Sequence, residues 1–149
     1  MIGEFERYHG AVLRQLIVGA NREVRIAVAD DLGRVNAFLV NGKLGVYIKH
    51  SSKRLAPWQF TYQDDHLGEL ARLSHLCSAV WLIHACGQDG VVAIPISDFY
   101  LMNPLQMNTT SFVRVDRDRN TMYRVNGSVS SLPRPRKRGL DCIFEELGD

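Results

Sequence analysis

Residues 44–62 read LGVYIKHSSKRLAPWQFTY, and the fold turns on how this stretch divides. Leu44, Val46 and Ile48 alternate with Gly45, Tyr47 and Lys49, the pattern of a strand buried on at least one face and ending in a lysine. Beyond Pro57, Trp58, Phe60 and Tyr62 alternate again and put three rings on one face of another strand. A turn carrying Lys53 and Arg54 joins the two. The surrounding window, residues 32–63, holds Arg34, Lys43, Lys49, Lys53 and Arg54 without one Asp or Glu. A basic strand-turn-strand with interleaved aromatics suits a phosphate-bearing partner.

Upstream, Asn41-Gly42 is a tight-hairpin signal, because both residues tolerate positive φ. It joins the strand at 44 to one at 35–40, which Asp31-Leu32-Gly33 links to a strand at 24–29. Before these, Ile2, Phe5, Tyr8, Val12, Leu13, Leu16 and Ile17 recur at helical spacing, and Gly19-Ala20-Asn21 provides a stop. Downstream, Asp64 or Asp65 is expected to cap a helix over about 66–77, with Leu67, Leu70, Leu73 and Cys77 inward. Apolar runs at 80–86 and 91–96 flank Gly87-Gln88-Asp89-Gly90 and predict a hairpin. Ser97-Asp98 opens a short helix that Pro104 ends. A last arginine-rich hairpin, 111–115 with 122–125, turns around Asp118–Asn120.

The sequence thus predicts one α+β domain over residues 1–127, with a mixed or antiparallel sheet flanked by helices. Residues 128–149 form a basic Pro/Ser-rich arm and a final helical turn. Pro133 and Pro135 bar that arm from a central strand.

Composition sets the outer limits. The chain has 149 residues, enough to bury a core without staples. It is 46% hydrophobic and 23% charged, values ordinary for a soluble globular protein. Its net charge of +2 does not by itself mark a nucleic-acid binder. MIGEFERYHG is charged and lacks an apolar core, so no export signal is expected, and no run reaches a membrane span. Cys77, Cys86 and Cys142 are odd in number and unpatterned, which predicts free thiols and a cytoplasmic location.

The order helix, three strands, helix, strand, with Lys49 closing the third strand, resembles the restriction-endonuclease-like core of the PD-(D/E)XK superfamily. That resemblance implies a helix Glu, a strand Asp and an acid-x-Lys motif, in which carboxylates hold Mg²⁺ and the lysine helps activate water. Lys49 takes the lysine place, but Tyr47 stands where the second acid belongs. Glu4 or Glu6 matches the helix Glu, and Asp30 or Asp31 is the candidate strand Asp, one strand early. If the nuclease were active, its catalytic set would be Glu6, Asp30 and Lys49, with Mg²⁺ as the only cofactor. The stretches IKHSSKRLAPWQFTY, CGQDGVVAI and RVDRDRNTMYRVNGS also resemble a family of small uncharacterised bacterial proteins, which implies no function.

The expected function is therefore a nucleic-acid-associated module on a nuclease-like core that has lost its metal site. Lys43, Lys49, Lys53, Arg54, Trp58, Arg114, Arg117, Arg119 and Arg124 are the candidate nucleic-acid contacts. Each has a plainer reading beside it. Lys49, Lys53 and Arg54 also suit a solvated strand end that blocks edge pairing. Trp58, Phe60 and Tyr62 also suit a core, and the arginines with Asp116 and Asp118 also suit a surface ion-pair ladder. His75-x-Cys77 and His84-x-Cys86 invite zinc, but the first pair diverges on a helix. The alternative function is a protein-interaction or regulatory module acting through a sheet face and the arm.

Overall fold

The computed structural model describes residues 1–29, 36–105, 109–117 and 122–147. Its elements, in chain order, are α1 (Glu4–Gly19), β1 (Ile26–Val28), β2 (Ala37–Val40), β3 (Leu44–Ser51) and β4 (Trp58–Tyr62). Then follow α2 (Asp64–Leu76), β5 (Ala79–Cys86), β6 (Gly90–Pro95) and α3 (Ile96–Met102). The chain continues through β7 (Ser111–Arg117), β8 (Met122–Asn126), β9 (Arg136–Lys137) and α4 (Asp141–Leu147). The class is α+β, as the sequence predicts, but it contains two sheets rather than one.

The first sheet runs β1-β2-β3-β5-β6 and is mixed. Its first three strands form an antiparallel meander, turned at Asn41 and Gly42 with φ of 55° and 69°. β5 then lies parallel to β3, with Val46 beside Trp81 and Lys49 beside His84. A parallel neighbour needs a crossover, and β4 with α2 supplies it. β5 is covered on both faces, which is why it reads as an unbroken apolar run with little alternation.

β4 leaves this sheet and pairs antiparallel with β7 in a second one, ordered β4-β7-β8-β9. The alternation of its rings explains the choice: Trp58, Phe60 and Tyr62 turn into the space between the sheets, and Gln59 and Thr61 turn outward. Two cores result. One lies between the sheets and takes in Leu70 and Leu73 of α2 with Phe99 and Met102 of α3. The other lies on the opposite face of the first sheet, where Val12 and Leu16 of α1 meet Ile143 and Leu147 of α4.

Two local readings need correction. Gln63, not Asp64 or Asp65, caps α2, and its N–H donates to Nδ1 of His66 at 3.0 Å. β1 covers only part of the 24–29 run. The arm is laid on its own domain: β9 pairs with β8, and the Gly139 N–H donates to the Val91 carbonyl. β9 sits at the sheet edge, where the flanking prolines cost no ladder bonds.

Candidate functional site

Alternation along β3 sends Leu44, Val46 and Ile48 toward α1 and turns Tyr47 and Lys49 toward the second sheet and α2. The Lys49 ammonium donates to the Thr61 carbonyl on β4, lies 3.3 Å from Nδ1 of His66, and sits 4.5 Å from the Tyr62 ring centroid. The Gln63 N–H can only donate, so His66 Nδ1 is an acceptor and the ring carries its proton on Nε2. Burial pushes the Lys49 amine down to about 8, against the opposing pull of Asp65 and Glu69. Reductive methylation with labelled formaldehyde should therefore yield one dimethyl-lysine NMR signal that titrates near pH 8. A Lys49 signal unshifted until pH 10 would show that the amine is freely hydrated.

Tyr47, in the acid place of the motif, donates its hydroxyl to Glu69 Oε1 at 2.5 Å. Burial first, then that hydrogen bond, raises its pKa and keeps the phenol neutral. The nearest carboxylates to Lys49 thus come from α2, not from the strand. A tyrosine hydroxyl in place of a carboxylate is a poor ligand for a hard cation. Among the described residues, no group of three His, Cys, Asp or Glu side chains is placed to hold a metal ion. Asp30, Asp31 and Arg34 lie outside the described residues. Glu6 is exposed on α1, the helix that packs on the opposite face of the sheet from Lys49, so these two do not converge. Its neighbour Glu4 instead meets His50 Nε2 at 3.3 Å on that far face.

The remaining basic candidates scatter. Lys43 is exposed at the other end of β3, about 20 Å from Lys49 at strand rise. Lys53 and Arg54 are exposed on the turn after β3, where Lys53 Nζ donates to the Pro57 carbonyl at 2.9 Å. Trp58 is only 1% exposed and donates its indole N–H to the Lys53 carbonyl at 2.8 Å. It is a core residue that anchors the basic turn, and it cannot stack on bases. Arg114 and Arg124 are exposed on the outward face of the second sheet, with Arg124 3.7 Å from Asp116. Arg117 leaves that face to reach Asp89 at 3.2 Å. Arg119 and the Asp118–Asn120 turn lie outside the described residues. Lys49 is partly buried as expected, but its charged neighbours are carboxylates rather than a net-positive surface.

His66, Asp65 and Glu69 were missed as neighbours of Lys49. Their spacing on one helix turn was a usable signal, but nothing in the sequence aimed that turn at β3. His84 is fully buried, and its Nε2 lies 2.7 Å from the Tyr62 hydroxyl. All three cysteines are free thiols; Cys86 is buried, whereas Cys77 is partly exposed. Among the described residues, no helix is long and apolar enough to cross a membrane. Comparison of the chain with family models, curated proteins and solved structures finds no match.

Proposed function

We propose that this chain is a nucleic-acid-associated module built on a nuclease-like core, without a working metal site, and acting in the cytoplasm. The observation that carries the reading is the placement of Lys49. It projects from the inner face of the third strand, which is antiparallel to β2 and parallel to β5, and the nuclease resemblance implies a lysine on that strand. Tyr47 replaces the acid two residues before it, and Glu69 uses its oxygen on the Tyr47 hydroxyl. Recognition then falls to exposed cations outside that site: Lys53 and Arg54 beside β4, and Arg114 and Arg124 on the second sheet. Charge-assisted hydrogen bonds to phosphate suit them.

A gel-shift series across salt tests the binding, with log K expected to fall linearly with log salt. No Mg²⁺-dependent cleavage of plasmid or single-stranded DNA is expected. Robust cleavage that vanishes in Asp30→Asn would restore an active nuclease. Binding to a protein with no nucleic-acid shift at low salt would favour a regulatory module instead.

A further inference from the structure

We propose that the outward face of the second sheet binds single-stranded nucleic acid, an assignment that rests on the nucleic-acid reading above and gives it a surface. The face is defined by register. Gln59, Arg114 and Asn126 stand side by side across β4, β7 and β8. One step along, Asp116 faces Arg124, and beyond them Met122 faces Lys137 of β9. All of these alternate with buried partners such as Val113, Val115, Tyr123 and Val125, so they share one side.

Charge complementarity selects the occupant. Three cations, Arg114, Arg124 and Lys137, stand against the single carboxylate of Asp116 among the described residues of this face. Arg114, Asp116, Arg124 and Asn126 also rim a shallow depression of about 170 Å³. Gln59, Thr61 and Asn126 add amide and hydroxyl groups that suit base edges.

The choice of a single strand follows from Phe112. It occupies the outward row next to Arg114, about 7 Å along the strand, and is partly exposed. Its backbone is fixed at both ends, because Asn103 donates to its carbonyl at 3.0 Å and accepts from its N–H at 3.0 Å. A fixed aromatic beside a phosphate-binding cation serves unpaired bases, whose faces a duplex keeps stacked.

Fluorescence anisotropy with a labelled oligo-uridine, a labelled oligo-thymidine and a duplex of the same length tests the assignment. With three cations on phosphates, the single-strand salt slope should be about −2, from about −0.7 per phosphate. Arg114→Glu with Arg124→Glu should weaken single-strand binding at least about tenfold and bring the slope near −0.7. Both side chains are exposed, so melting should be unchanged, and the milder Arg114→Gln with Arg124→Gln should act in the same direction. Phe112→Ser should weaken binding about tenfold with the slope preserved. Wild-type affinity in the double variant, or a duplex bound as tightly as a single strand, overturns the assignment. If binding is lost instead in Lys53→Glu with Arg54→Glu, the nucleic-acid reading stands and this face is wrong. If the unmodified protein binds no nucleic acid at low salt, both fail together.

Discussion

Acidification from pH 7 to pH 4 should cost this protein about 5 kcal/mol of stability, most of a small domain's total. Two buried imidazoles cause it. His84 is fully buried between the sheets, against the Phe60 ring and the Tyr62 hydroxyl, and burial with the nearby Lys49 charge pushes its pKa down to about 3. His9, 4% exposed on the buried face of α1 and stacked on Phe5, is pushed down to about 4 by burial and by His50. In the unfolded chain both rings return to about 6.5. The unfolded state therefore binds more protons over the window from about 6.5 down to 4 for His9 and 3 for His84. Stability is full above 6.5 and falls with pH through that window, at up to about 1.4 kcal/mol per ring per pH unit. For a chain of this size the melting temperature should drop by about 10–20 °C between pH 7 and pH 4. His9→Phe keeps the stack on Phe5 and removes one titrating ring, so it should flatten the dependence by about half. Equal melting temperatures at pH 7 and pH 4.5 would mean that neither histidine is held neutral.

His84 and His9 also mark the limit of what the sequence discloses. The strands could be read because their signals are local: alternation in 44–62, two turn residues at Asn41 and Gly42, and an apolar run at 80–86. The second sheet does not. Trp58, Phe60 and Tyr62 announce a strand with one buried face, but its partner β7 begins about fifty residues later, and no turn links the two. The same gap hid the site. Lys49 was legible as a cation on a buried strand, whereas Asp65, His66 and Glu69 reach it only because α2 packs across β3. Trp58 was misassigned for the converse reason. A strand pattern shows that a face is apolar but not what covers it, and here β7, β8 and α3 do.

Asp89→Ala should destabilise the fold by about 3 kcal/mol and loosen the C-terminal arm before the core melts. In the sequence Asp89 is merely a turn residue, and it sits in the β5–β6 hairpin. Its side chain gathers three separate segments: the Tyr123 hydroxyl on Oδ2 at 2.6 Å, Arg138 on Oδ2 at 3.1 Å, and Arg117 on Oδ1 at 3.2 Å. Asp89 is the more buried partner in both ion pairs, at 16% exposed against 30% for Arg138 and 52% for Arg117. Removing it therefore leaves the buried Tyr123 phenol and the Arg138 guanidinium without this acceptor. The Arg117 share is small because water screens that pair. Tyr123 and Arg138 carry most of the effect, since Arg138 also lies 5.6 Å from the Tyr123 ring and the Gly139 N–H that follows it holds the Val91 carbonyl. Arg136 on Asp98 is the arm's second fastening and remains. Hydrogen exchange should accordingly show amide protection falling first at residues 138–147, with β3 and β5 still protected. A melting temperature lower by about 6–12 °C is expected alongside. If Asp89→Ala melts within a degree of the unmodified protein, the three contacts are surface pairs of no consequence, and the arm is held by the apolar contacts of Leu140, Ile143 and Leu147 alone.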